Sequence, residues 1–158
     1  MGTALIHKII SGGQTGVERA GLDAALVLGI PCGGWCPKGR RAVDGVIPAK
    51  YPLQETEARS YNKRTKLNVL DSDGTLILNK GELSSGTAYT VEIAKKNDKP
   101  FLVVPLDQSP DPQKVIDWIQ KNGIHILNVA GPREEKYPGI HDQVVSFLRK
   151  IFCEKVMK

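Results

Sequence analysis

Aromatic side chains are scarce in this sequence: three Phe, four Tyr and two Trp make up 6% of its 158 residues. Proteins that hold single-stranded nucleic acid stack bases on aromatic rings, so that function class has little to work with here. Cysteines are few and odd in number, Cys32, Cys36 and Cys153, which argues against a disulfide framework. A zinc site on Cys32 and Cys36 would need two further ligands. His7, His125 and His141 are far away in sequence, with no metal-type spacing. Free cysteines of this kind behave as small buried hydrophobes. No apolar run approaches the length of a membrane span. The first residues, Met1 to Lys8, lack the charged, apolar and small-residue regions of a signal peptide, and they do not fit a myristoylation signal. A cytoplasmic protein without membrane contact is expected. Acidic residues do not dominate either. Lys and Arg number 22 against 17 Asp and Glu, a formal charge of +5 that attracts anions of any kind.

What is present is a globular composition, 41% hydrophobic and 25% charged, in a chain the length of one ordinary domain. No linker divides it, so residues 1–158 are read as a single domain. Leu5 to Ile10 reads as a strand, Thr15 to Leu28 as a helix stopped by Gly29, and Ile30 to Gly34 as a short strand. Trp35 to Tyr51 is polar, basic and rich in turn residues. A long irregular segment inside a compact domain is usually functional when it has anchors, and Trp35, Val46, Ile47 and Tyr51 supply them. The pattern then predicts a helix over Glu55 to Leu67, a strand over Gly74 to Leu78 and a helix over Thr87 to Lys96. A strand over Phe101 to Val104, a helix capped by Asp111 with Pro112 at its first position, a strand over Ile124 to Val129 and a last helix from Ile140 follow. Strands alternating with helices point to a three-layer α/β/α domain with a mainly parallel sheet, which binds ligands beyond the C-terminal strand ends.

Two glycine loops sit at such ends. Gly12, Gly13, Gln14, Thr15 and Gly16 follow the first strand; Ser85, Gly86 and Thr87 follow the strand at Gly74, with Thr90 one turn on. A helix opening on glycines and hydroxyls leaves N–H groups unpaired, backed by the helix dipole, and suits a phosphate. The plainer reading is a turn in the first case and a cap in the second. Lys38, Gly39, Arg40 and Arg41 form a basic cluster suited to forked phosphate contacts if it folds over these loops. Asp73 could orient a sugar hydroxyl, bind a metal together with phosphate, or serve as an acid–base group, and Asn128 and Arg133 end the last strand. Glu92 is expected to face solvent or Lys96. No Ser–His–acid or Cys–His pairing stands out.

These residues occur in blocks. Ser11-Gly12-Gly13-Gln14-Thr15-Gly16-Val17-Glu18-Arg19-Ala20, Gly33 to Ala42, Arg64-Thr65 with Asn68-Val69, Ser72 to Thr75, Ser85 to Thr87 and Asn128 to Arg133 together resemble the molybdenum (molybdenum-cofactor) carrier family. The resemblance runs in order from about Ile9 to Leu148. That family is similar to a larger Rossmann-like superfamily of nucleotide phosphoribohydrolases and a DNA-processing protein of natural transformation. The resemblance implies a Rossmann-like fold, a homo-oligomer (dimer or tetramer), delivery to molybdoenzymes, and a pocket for the molybdenum cofactor or a similar phosphorylated pterin or nucleotide. No residue is nominated as a metal ligand. The phosphoribohydrolases carry Gly-Thr-x-x-Glu; here Thr90 stands at the Glu position and Glu92 lies about 200° further round the helix. That departure argues against N-glycosidic hydrolysis and for binding without catalytic residues.

Three functions follow in order. The first is a binding protein holding a phosphorylated pterin or nucleotide between the two glycine loops, with Lys38, Arg40 and Arg133 on its charge. The second is a nucleotide or nucleotide-sugar processing enzyme using Asp73. The third is nucleic-acid binding through the basic stretch from Lys38 to Lys66, ranked last for want of aromatic residues.

Overall fold

A computed structural model describes residues 5–157, of which 153–157 by backbone alone. In chain order its elements are β1 (Lys8–Ile10), α1 (Val17–Leu28), β2 (Cys32–Gly33), β3 (Trp35–Cys36), β4 (Arg41–Ala42), β5 (Gly45–Val46) and β6 (Gln54–Glu55). There follow α2 (Tyr61–Asp71), β7 (Gly74–Asn79), α3 (Ser85–Lys96), β8 (Phe101–Pro105), α4 (Pro112–Lys121), β9 (Ile126–Ala130) and α5 (Ile140–Met157). The main sheet has five parallel strands in the order β2-β1-β9-β7-β8.

Alternation along the strands builds two different faces. Ile9, Leu76, Leu78, Leu127 and Val129 point into the main core, where Ala20 and Ala24 of α1, Val115 and Ile119 of α4, and Val144 and Leu148 of α5 meet them. The opposite face carries Thr75 in register with Asn128, and Asn128 Nδ2 donates to Thr75 Oγ1 at 3.2 Å. Helices α2 and α3 cover this more polar face through Val69, Ile93 and Ala94, with Phe101 beside them. The three-layer α/β/α architecture expected from the sequence is therefore the one observed.

The connectivity creates the crevice. Helix α1 carries the chain from β1 outward to β2, and α3 carries it from β7 outward to β8, in opposite directions. The last strand in sequence, β9, fills the gap between β1 and β7. Loops after β1, β7 and β9 thus leave the same edge of the sheet with diverging helices, the arrangement that opens a ligand crevice in such folds.

Several boundaries differ from expectation: β1 starts at Lys8, β2 spans only Cys32–Gly33, α1 starts at Val17 and α3 at Ser85, and two further shifts have a clear cause. Helix α2 starts at Tyr61 rather than at Glu55, because Gln54 N donates to Gly34 O and Thr56 N to Cys36 O, which draws 54–56 into strand pairing with β3. Strand β9 starts at Ile126, after Ile124 N has closed helix α4 by donating to Ile119 O.

Residues 35–56 form an ordered strap rather than a loose loop. Leu22, Cys36, Ile47 and Tyr51 make a small core beneath it. Arg40 sits at φ 53°, a left-handed conformation that non-glycine residues rarely adopt. Its guanidinium holds the turn by donating to the carbonyls of Ile47, Pro48, Tyr51 and Leu53. The strap is tied to the body where Tyr51 Oη donates to Asp23 Oδ1 at 2.6 Å, while Asp23 Oδ2 meets His141 Nε2 at 2.7 Å. Burial alone would lower the His141 imidazole, but its contacts with Asp142 and Asp23 raise it above its ordinary value near 6.5. A raised folded-state value means that this stabilisation is fully present below about pH 6.5 and fades as pH rises through the folded value. Denaturant titrations between pH 6 and 9 are expected to show stability falling in the wild type and a flatter profile in His141→Ala.

Candidate functional site

A cleft of about 830 Å³ opens at the carboxyl edge of the sheet. Helix α2 supplies one wall with Tyr61, Arg64 and Thr65, and α3 another with Ser84, Ser85, Gly86, Thr87 and Thr90. The loop after β9 contributes Gly131, Arg133, Glu135 and Lys136, and the first glycine loop contributes Gln14 and Glu18. A narrow inner recess continues beneath it past Gly12, Asn68 and Asn128. A separate cavity of about 300 Å³, lined by Lys8, Trp35, Gln54 and Asp71 among others, contains none of the residues nominated from the sequence.

The start of α3 is open. Ser84 is its N-cap, with Oγ accepting from Thr87 N at 3.4 Å and sharing a 3.0 Å hydrogen bond with Thr87 Oγ1. Ser85 and Gly86 occupy the first helical positions, where N–H groups have no carbonyl to reach within the helix. A Cβ added at Gly86 would meet nothing within 4 Å. There is no acidic residue in the first turn to neutralise the helix end. Thr90 is buried below, its Oγ1 donating to Gly86 O at 3.1 Å.

The first glycine loop, expected to match the start of α3, has a different arrangement of donors. The N–H groups of Gly13, Gln14 and Thr15, and that of Val17 after them, already have partners within the protein. Gly13 N donates to Ser11 Oγ, Gln14 N to Glu18 Oε1, Thr15 N to Gln14 Oε1 and Val17 N to Pro132 O. Thr15 Oγ1 donates to Glu135 Oε1 at 2.7 Å. The glycines serve close packing instead. Gly13 has φ 78°, and a Cβ there would lie 2.6 Å from Leu53 Cδ1. Gly16 has φ 82°, with Pro132 O and Glu134 N each 2.5 Å from where a Cβ would stand. At Gly12 a Cβ would collide with the Arg64 guanidinium.

That guanidinium belongs to a buried ion pair. Arg64 Nη1 donates to both oxygens of Glu18, at 2.8 and 2.7 Å, with the two residues only 7% and 8% exposed. Arg64 Nε and Gln14 Nε2 are buried without a partner, and both side chains line the cleft. Among the described residues Arg133 and Lys136 have no carboxylate partner. Of the two acids of the cleft, Glu18 is paired with Arg64, while Glu135 accepts from the Thr15 hydroxyl and keeps its charge, against the three cations Arg64, Arg133 and Lys136. The cleft is thus left with free positive groups.

Of the residues nominated from the sequence, Gln14, Ser85, Gly86, Thr87, Thr90 and Arg133 line the cleft, and Gly12 borders the recess. Gly13, Thr15 and Gly16 lie behind it in the first glycine loop. Lys38 is exposed on the strap, Gly39 N donates to Glu55 Oε1, and the Arg40 guanidinium is occupied by backbone carbonyls. Asp73 precedes β7 and so sits at the opposite end of the sheet, where its Oδ2 accepts from His125 N and Ile126 N at 3.0 and 2.8 Å. Burial would raise this carboxyl, but those hydrogen bonds, with His125 and Lys99, hold it below its ordinary value. Asp73→Asn is expected to lower stability by about 1 kcal/mol, the usual net worth of such bonds, and to leave ligand affinity unchanged. Chemical denaturation and calorimetric titration check the two halves separately. Glu92 is on the surface and pairs with Lys96 at 3.1 Å.

The residues that motif reading passed over are Glu18, Tyr61, Arg64 and Lys136. Glu18 and Arg64 did stand inside the blocks that carried the family resemblance. Among the described residues no group of three or more His, Cys, Asp and Glu is placed to hold a metal, and no helix is long and apolar enough to cross a membrane.

A doubly wound parallel sheet with a cleft at the carboxyl ends of its strands defines a Rossmann-like α/β domain. The chain belongs to the circularly permutated YpsA SLOG family, whose profile matches residues 9–152. It is similar in structure to the "putative molybdenum carrier protein" from Syntrophus aciditrophicus SB, known from a crystal structure at 1.45 Å resolution. The two are 45% identical with a TM-score of 0.91, over 94% of this chain and 96% of the other. This agrees with the resemblance seen in the sequence blocks. A second likeness, to (E)-4-hydroxy-3-methyl-but-2-enyl diphosphate reductase, has 11% identity and a TM-score of 0.41 over 92% of this chain and 60% of the other, and carries no argument. No curated protein matches the chain.

Proposed function

We propose that the cleft binds a phosphorylated small molecule with its phosphate on the N-terminus of α3, and that the protein acts as a carrier for the molybdenum cofactor. The open helix start at Ser85 and Gly86, facing a cleft with unpaired Arg133 and Lys136, is the observation that carries this reading. A helix N-terminus supplies N–H donors and a partial positive charge, and the two side chains supply mobile counter-charges. A cleft of about 830 Å³ falls within the range of small-molecule sites and has room for a nucleotide-sized body. The carrier part rests on the similarity to the Syntrophus protein. The molybdenum cofactor is cargo in this reading. Its phosphate matches the α3 donors, while its remaining polar groups face Gln14 Nε2 and the cations of the cleft. An assembly of two or four chains in the cytoplasm that hands cargo to molybdoenzymes completes the picture.

The test is a thermal-shift panel with phosphate, molybdate, AMP, GMP, a nucleotide sugar and the molybdenum cofactor. At about a hundred times its dissociation constant a ligand stabilises the fold by roughly 2.7 kcal/mol. The cofactor is expected to give the largest shift. Silence across the panel would remove the binding reading, and a shift with nucleotides but not with cofactor would remove the carrier part.

A further inference from the structure

We infer that the cleft takes a ligand with two anionic groups: one on the N-terminus of α3, and a second on a cluster of three arginines gathered around Tyr61. This rests on the cleft being a phosphate site, as proposed above.

Tyr61 is the first residue of α2 and lines the cleft. The guanidinium carbons of Arg41, Arg64 and Arg133 lie 4.6, 5.5 and 5.4 Å from the centre of its ring. The three come from separate parts of the chain: β4 on the strap, helix α2, and the loop after β9. Cation–π attraction to the ring offsets part of their mutual repulsion. Glu135 also lines the cleft, but it makes no ion pair with these arginines. Only Arg64 has a carboxylate partner, Glu18, and it reaches it through Nη1 alone; among the described residues Arg41 and Arg133 have none. The Nε atoms of both Arg41 and Arg64 are also buried without an acceptor. Buried charged donors left unpaired are costly, and they are retained where something else accepts from them.

Guanidinium groups are planar forks that match the oxygens of a phosphate or another oxyanion, in pairs of parallel bonds. Arg64 and Arg133 line the same cavity as Ser84 to Thr87, and Arg41, outside that lining, stacks on the ring of Tyr61, which does line it. One small molecule can therefore meet both positive centres. A ligand with a single anionic end would leave one of them uncompensated. The ligand class that fits is a small molecule with two anionic groups, for which a nucleoside diphosphate is the simplest probe.

Calorimetric titration of the intact protein with AMP and ADP, at low and at physiological salt, tests this. ADP is expected to bind about tenfold or more tightly than AMP, since one charge-assisted contact is worth at least that factor. Arg41→Gln is expected to bring ADP down towards AMP, with AMP affinity and melting temperature unchanged, and Arg41→Lys to fall between. Gly86→Glu is expected to weaken both ligands. Equal affinities for AMP and ADP, or an Arg41→Gln variant that weakens both alike, would overturn the second subsite and leave the phosphate reading intact. Binding of both nucleotides unaffected by Gly86→Glu, or no binding of either, would overturn the phosphate reading and this inference with it.

Discussion

Gly86→Glu is expected to abolish phosphate binding without loss of the fold. A side chain at Gly86 enters open space, since nothing lies within 4 Å of its Cβ position. The backbone there is ordinary helix, so the substitution relieves a helical glycine and adds an acid to a first turn that has none. Both changes favour the helix, by up to about 1 kcal/mol each. The melting temperature should therefore hold or rise by a few degrees. Binding should respond in the opposite direction. A carboxylate about 4 Å from a phosphate charge opposes it by about 4 kcal/mol at an effective dielectric of 20, roughly a thousandfold in affinity. A thermal-shift and calorimetry series on wild type, Gly86→Ala and Gly86→Glu reads both effects. Retained affinity in a folded Gly86→Glu protein would rule out α3 as the phosphate site. The equivalent substitution in the first loop, Gly13→Asp, would not discriminate. It forces a side chain onto a residue at φ 78° and against Leu53, so lost binding there would report a damaged fold.

The second large effect is on stability. Glu18 and Arg64 are buried together, and removing one partner leaves a charge in a site from which water is largely excluded. Arg64→Met and Glu18→Gln are each expected to cost about 3–5 kcal/mol. In a domain of this length that is a fall of roughly 6–20 °C in melting temperature. The double variant is expected to cost clearly less than the two singles added together, because the charge that each single leaves unpaired is gone. Chemical denaturation of the four proteins completes the cycle. An Arg64→Met loss below about 1 kcal/mol would mean that Glu18 is relaxed by solvent, and that the first loop is open enough to accept an outside anion.

Features of the site set by local geometry were legible in the sequence. Ser84 to Thr87 signals a helix start, and both its capping and its openness depend on residues within one turn of each other. The run from Gly74 to Leu78 reads as a strand because a parallel strand buried on both faces is apolar throughout, and Phe101 to Val104 has the same apolar character although β8 lies at the sheet edge and is only partly buried. Asp111 followed by Pro112 marked the start of α4 for a similarly local reason. Features that failed to show depend on partners far along the chain. Arg40 and Arg41 are adjacent and chemically alike, yet one is held by the carbonyls of residues 47–53 and the other stacks on Tyr61. Their different fates follow from the left-handed turn at Arg40 and from the docking of the strap on α1. The first glycine loop has the composition of an anion cradle, but Glu18, drawn in by Arg64 from another helix, fills the role of the anion.

By itself the sequence determined the order and type of the elements of the main sheet and its helices, though not the four short strands of the strap, together with the three-layer class, the family, and one helix terminus suited to phosphate. Each of these follows from periodicity, capping or contiguous motif residues, which act over a few positions. The tertiary structure alone decided how the donors of each glycine loop are partnered, which cations remain unpaired, and that Asp73 stands at the far end of the sheet from the cleft. Those outcomes depend on which charges meet in space. Arg64 and Glu18 are separated by 46 positions in the chain and by no more than 2.8 Å in the fold.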